Sequence, residues 1–208
     1  MTQTTTTEHA MSALPPVAAV IIHEVADFDV WRRVFDADEP ARRAAGILGH
    51  HIHRGADQPN RVTVYLPARS AEGLSAFLAS PTLKATVKNA GATSAPTISL
   101  VAPTEDLTNK QRALAGVLVR HRVADYAAWK NAFDGHASAR AAAGILGHAV
   151  NRATDDPSLV VVYLQGERLD ALRAFAASPD LKAVMQAAGI IGAPEISFEQ
   201  SAGWGHYA

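Results

Sequence analysis

Ala44–His50, AAGILGH, and Ala142–His148, AAGILGH, are the same seven residues placed 98 positions apart. Extending the comparison in both directions at that fixed offset keeps the register. His23, Val25, Asp27, Trp31 and Phe35 meet His121, Val123, Asp125, Trp129 and Phe133, and Ser80, Pro81, Leu83 and Lys84 meet Ser178, Pro179, Leu181 and Lys182. About 38 of 85 paired positions are identical with no gap, so residues 17–101 and 115–199 are one unit written twice. Two copies are too few for a solenoid, and the arrangement is a tandem pseudo-dimer.

Each copy spells out the same order of elements. Val117–Val123 is a β-branched run, Asp125 is placed to cap a helix, and Tyr126, Trp129, Phe133, His136 and Arg140 then recur at spacings of three and four, one stripe of a helix over 126–142. Gly144 ends that helix, Ile145–Arg152 alternates as a strand, Asp155–Ser158 makes a turn, and Leu159–Leu164 returns as a second strand. A helix over 169–177, a short helix behind Pro179 and a last strand at 195–198 complete β-α-β-β-α-β. This is the ferredoxin-like unit, an α+β fold whose antiparallel sheet carries its helices on one face and leaves the other bare. Two bare apolar faces in one chain predict two βαββαβ repeats packed sheet to sheet as an intramolecular sandwich or pseudo-dimeric α+β barrel, with 102–114 as the linker. The opening residues 1–16 read as a polar tail without the pattern of a secretory signal, and 200–208 as a C-terminal tail carrying GWGHY, free to cover an apolar surface or plug a pocket.

Composition narrows the function. The formal charge is -1, with 19 basic and 20 acidic residues spread without blocks, so no nucleic-acid or anionic-membrane partner is indicated. With no cysteine there is no disulfide, thiolate metal site or cysteine nucleophile. No apolar run is long enough to span a bilayer, and the expected location is cytoplasmic. There is no Gly-rich phosphate loop, serine elbow or dinucleotide fingerprint.

The line Asp125, Tyr126, Trp129, Lys130, Phe133, Asp134, His136, Arg140, Ala143, Gly144, followed by Arg152, Asp155, Asp156, Pro157 and the stretches Ser178–Lys182 and Ala188–Glu195, resembles small bacterial proteins of the dimeric α+β-barrel superfamily, of the cyclase or antibiotic-biosynthesis-monooxygenase kind. The resemblance covers both copies. It implies a pocket between helices and sheet in each unit, and a superfamily that includes cofactor-free monooxygenases, polyketide cyclases, haem-handling proteins and stress proteins. The second copy keeps the pattern better, because Asp38 stands where it has His136, and Thr93 and Ser94 replace Ile191 and Gly192.

Candidate site residues follow from parity and stripe. His23 and His121 lie on the apolar strand face, either as core histidines bonded to neighbours or as a pocket acid or base. His136 and Arg140 share a stripe with Trp129 and Phe133, a base beside a cation suited to an enolate or phenolate, or else a solvated helix end. In copy one Asp38 and Arg42 are expected as an ion pair. Trp31, Trp129, Phe133 and Tyr163 are core residues that can also wall a pocket. In the run His50–His53, alternation places His51 and His53 together and His50 opposite, so three ligands cannot converge from this strand and no metal is expected. Arg54 and Arg152 read as turn-stabilising partners of Asp57 and Asp155. The expectation is therefore a cofactor-independent cyclase or monooxygenase acting on a small hydrophobic or aromatic ligand, with a non-catalytic binding or stress-related barrel, and a haem protein using His51, His53 or His136, as alternatives. The assembly expected is a monomeric pseudo-dimer or a homodimer of it.

Overall fold

A computed structural model describes residues 14–110 and 112–207; most of the polar opening, Gln111 of the linker and the final residue lie outside them. The first repeat runs β1 (Val17–Glu24), α1 (Phe28–Ala37), α2 (Glu39–Ala44), β2 (Gly49–Gly55), β3 (Arg61–Ala68), α3 (Ala71–Ala79), α4 (Pro81–Asn89) and β4 (Thr97–Asp106). The second repeats it as β5 (Ala115–Val123), α5 (Tyr126–Gly135), α6 (Ala137–Ala142), β6 (Ile145–Ala153), β7 (Leu159–Gly166), α7 (Leu169–Ala176), α8 (Pro179–Ala187) and β8 (Ile190–His206). The duplicated caps work as read: Asp27 and Asp125 accept the N–H of Val30 and Ala128, both at 2.9 Å, while Ser80 and Ser178 cap the helices that Pro81 and Pro179 open. Gly46 and Gly144 leave the helices at φ +76° and +81°, a conformation closed to β-branched residues.

The two sheets form a closed barrel in the order β1-β3-β2-β8-β5-β7-β6-β4. Each repeat's last strand pairs antiparallel with the other's second strand, β8 on β2 and β4 on β6, so closure removes the sheet edges that would otherwise invite pairing with another chain. Alternation then sorts side chains into three cores. Outward residues of the first repeat, such as Ala19, Val64 and Leu66, pack under α1–α4, and Val117, Val162 and Leu164 pack under α5–α8. Inward residues, among them Ala18, Val20, Ile22, Val101, Leu118 and Val161, fill the barrel.

Three expectations change. The helix over 126–142 breaks at His136, as the corresponding helix breaks at Asp38. The break leaves the carbonyls of Phe35 and Phe133 only the backbone N–H of Asp38 and His136, at 3.2 Å, and the duplicated arginines turn back to add a second donor: Arg42 Nη1 donates to Phe35 O at 2.6 Å, and Arg140 Nη1 to Phe133 O. Residues 102–106, read as linker, continue β4 along β6. Residues 200–206, read as tail, continue β8 along β2, because the open edge of β2 offers backbone partners that side-chain pattern does not reveal.

Candidate active site

Between the helices and the outer sheet face of the first repeat lies a cavity of about 300 Å³. β1 and β3 floor it with Ile21 and Val64, α1 supplies Trp31 and Phe35, and α3 and α4 close it with Phe77 and Val87. The lining is almost wholly apolar, and the polar exceptions are few: His23 on β1, Asp38 at the helix break, Arg42 on α2, and Lys84 and Thr86 on α4.

His23 is 6% exposed, packs its ring 5.6 Å from Trp31, and has no hydrogen-bond partner on either ring nitrogen. The expected core-histidine bonds to backbone or neighbour are therefore not made. Burial pushes it down to about 4, so it is neutral at pH 7. Arg42 is 2% exposed and fixed on three sides. Its Nη1 holds Phe35 O, its Nε donates at 2.6 Å to the Tyr207 hydroxyl, and its plane lies 3.7 Å over the Phe35 ring. The Asp38 carboxylate is 3.8 Å away, a looser pair than the ion pair expected from sequence, and Arg42 Nη2 is buried without a partner. Asp38 sits partly buried at the rim, and desolvation raises its pKa although Arg42 opposes the rise. The Tyr207 hydroxyl in turn shares a hydrogen bond with His50 Nδ1 at 2.8 Å, so the C-terminal segment of the second repeat buttresses the first repeat's pocket. The sequence left GWGHY able to cover a surface, and the aromatic that does so is Tyr207, at 7% exposure, while Trp204 is 42% exposed.

The equivalent cavity of the second repeat measures about 70 Å³. It is lined by His121, Trp129, Phe133, His136 and Arg140, so the structure does bring those expected residues together. Their space is closed for two reasons. His136 Nε2 lies 2.9 Å from Asp180 Oδ2, tying the helix break to α8, whereas the matching positions in the first repeat are Asp38 and Thr82. Val184, Met185 and Ile190 also stand where the first repeat has Thr86, Val87 and Ala92. The copy that keeps the family pattern better therefore has the smaller pocket. His121, like His23, has both ring nitrogens unpartnered and is pushed down to about 4 by burial.

Tyr163, His51 and His53 belong to neither cavity. They point into the barrel, as the parity of β2 and β7 dictates, around a third cavity of about 80 Å³. His50 points outward to Tyr207, so the histidine run divides as its alternation predicts. Among the described residues no group of three or more His, Asp or Glu side chains is placed to hold a metal ion. Arg54 and Arg152 stabilise their turns through the carbonyls of Pro59 and Pro157 and lie over Phe28 and Tyr126, rather than pairing with Asp57 and Asp155. Among the described residues no helix is long and apolar enough to cross a membrane.

No protein-family model and no curated protein matches the sequence. Solved structures do. A candidate monooxygenase from Lactobacillus acidophilus NCFM aligns over 92% of this chain and 96% of its own, with a TM-score of 0.61 and 14% identity. An anthrone oxidase-like protein aligns over 91% and 92%, with a TM-score of 0.67 and 16% identity. A chlorite dismutase variant from Candidatus Nitrospira defluvii aligns over 90% and 92%, at 0.56 and 13%. The chain has the dimeric α+β-barrel fold. At these identities the likeness concerns architecture, and the dimeric α+β barrel hosts chemistry that only its pockets decide.

Proposed function

We propose that this α+β barrel is a cofactor-independent enzyme that deprotonates a small apolar or aromatic molecule carrying an acidic C–H or O–H next to a carbonyl, in the first repeat's pocket. The observation that carries the reading is the set of unpartnered polar atoms on an otherwise apolar cavity of about 300 Å³: both His23 ring nitrogens and Arg42 Nη2. A desolvated donor or acceptor left without a partner costs stability, and a ligand oxygen on Arg42 would remove that cost. Arg42 is held rigid by Phe35 and Tyr207, so it meets developing negative charge on an enolate or phenolate oxygen without reorganising. A neutral His23 accepts the proton, with Asp38 at the rim as the alternative acceptor. Deprotonation is the step that ring closure and oxygen insertion share, so a cyclase and a cofactor-free monooxygenase both remain within the proposal.

Haem does not fit the histidines that the sequence singled out. His51 and His53 face a cavity of about 80 Å³ inside the barrel, and His136 lines one of about 70 Å³ with its Nε2 engaged by Asp180; neither space admits a tetrapyrrole.

The test is proton exchange in deuterated water, followed by NMR, for a panel of small aryl 1,3-diketones and hydroxyaromatic ketones. Wild type should label the acidic carbon, and His23→Leu with Asp38→Asn, or Arg42→Met alone, should slow labelling by about 10²- to 10⁴-fold while His136→Ala leaves it unchanged. Ligand binding with unaltered exchange in every variant would instead make the chain a non-catalytic binding barrel.

A further inference from the structure

The inside of the barrel carries a second set of polar groups that the outer pocket does not use. Glu199 on β8 is 1% exposed. Its Oε1 accepts hydrogen bonds from Thr63 Oγ1 at 2.6 Å and Ser197 Oγ at 3.2 Å, while Oε2 is buried with no partner. Asn151 Oδ1 on β6 is likewise buried and unpartnered. Both residues line the internal cavity of about 80 Å³ together with His51, His53, Tyr65 and Tyr163.

Comparison of the two repeats shows how this came about. The positions paired with Glu199, Thr63, His51 and His53 are Val101, Val161, Ala149 and Asn151, so three of the four have apolar or methyl counterparts. A duplicated barrel would place identical residues symmetrically about its axis; here the carboxylate and its Thr63 donor occur once, while Ser197 is matched by Ser99. Gly116 belongs to the same arrangement. It lies directly across from Glu199 in the β5–β8 register, and a Cβ there would collide with the Tyr163 hydroxyl, which crosses β5 to reach His53 Nδ1 at 3.2 Å. The counterpart of Gly116 is Ala18.

We infer that the barrel interior is a binding site for a small organic cation with N–H donors, of the primary ammonium or guanidinium class. The unpartnered protein atoms, a carboxylate oxygen and an amide oxygen, are acceptors, which calls for a donor ligand. Glu199 supplies the negative charge that no cationic side chain pairs, since Glu105 and Asp106 on the same lining are held by Lys130 and Lys110, and the rings of Tyr65, Tyr163 and Trp204 supply faces for a cation. The volume accommodates only a few heavy atoms. The groups facing Glu199 are Arg61 and Tyr65 from β3, His51 and His53 from β2, and Tyr163 from β7; the rest of the charged lining is paired, Asp106 with Lys110 at 2.9 Å, Glu105 with Lys130 at 3.1 Å and Arg112 with Glu167 at 2.7 Å. Desolvation pushes Glu199 up to about 7 against the pull of its hydroxyl donors and Arg61, whereas both histidines are held neutral by burial. A bound cation favours the ionised carboxylate, so binding strengthens as pH rises through 7 and displaces a proton below it.

Isothermal titration of the full chain with methylammonium chloride, at constant ionic strength, tests the assignment. Saturable one-to-one binding is expected at pH 8, about tenfold weaker at pH 6, with Glu199→Gln lowering affinity at least tenfold at pH 8 and Asn151→Ala several-fold. Equal heats for wild type and Glu199→Gln, or no saturation at about 0.1 M, overturn it. So does a crystal grown in methylammonium that shows only ordered water on Oε2. Should Glu199→Gln fail to fold by circular dichroism, Asn151→Ala decides: undiminished affinity in that variant overturns the site.

Discussion

Replacing His23 with leucine removes one of the matched pair of imidazoles, His23 and His121, that the two outer pockets hold uncharged. Burial pushes His23 and His121 each down to about 4, from 6.5 for the free side chain. The folded value lies below the unfolded one, so between pH 6.5 and pH 4 the unfolded chain binds more protons. Stability is complete above pH 6.5 and drains as pH falls toward 4. At pH 5 each imidazole costs about 2 kcal/mol relative to pH 7.5, so this pair removes about 4 kcal/mol from wild type and about 2 kcal/mol from His23→Leu. His50, His51 and His53, also buried and lowered, contribute alike to both proteins and cancel in the difference. Urea unfolding at the two pH values, with m-values checked for constancy, reads the difference directly. If His23→Leu loses as much stability on acidification as wild type, to within about 0.5 kcal/mol, His23 protonates freely in the folded state and the desolvated pocket is refuted.

Tyr207→Phe should cost about 1–3 kcal/mol in the same urea assay, because it strips the partner from both Arg42 Nε and His50 Nδ1 in one deletion. Gly116→Ala should destabilise by about 1–3 kcal/mol as Tyr163 is forced aside; a neutral result would mean that the ring rests elsewhere. Giving the second repeat the first repeat's residues, His136→Asp with Asp180→Thr and Met185→Val, should open its cavity and raise the number of pocket ligands bound per chain from one to two by equilibrium dialysis. An unchanged count would show that the His136–Asp180 tie is not what closes it.

The architecture was legible because it was written twice: caps at Asp27 and Asp125, turn glycines at Gly46 and Gly144, and strand parity are local signals, and the shift of 98 residues confirmed each against its copy. The pocket residues His23, Trp31, Asp38 and Arg42 came from the same periodicity and do share one cavity. What the sequence hid depends on long-range geometry. The helix break at His136 has no proline to announce it, since the Pro40 that follows the matching break at Asp38 is replaced by Ser138 in the second copy. Pocket size turned on contacts across elements, such as that of His136 with Asp180, 44 residues away. Tyr207 reaches Arg42 across 165 residues and Glu199 reaches Thr63 across 136, so the GWGHY stretch could be read as a cover without showing what it covers, and Glu199 sits in no motif. Glu199 did leave one trace: set against Val101, it is the pairing in the aligned repeats where an acid faces a valine.

Joining the two halves in one polypeptide has a consequence for what the barrel can contain. A barrel assembled from two identical chains must carry every interior side chain an even number of times, and a glutamate in the position of Glu199 would bring a second buried carboxylate into the same lumen. Fusion lifts that parity constraint, because each half can drift alone while closure still matches β8 to β2 and β4 to β6. A buried carboxylate present once, with valine at the equivalent position of the other half, is a chemical composition open to the linked chain and closed to a homodimer of either half.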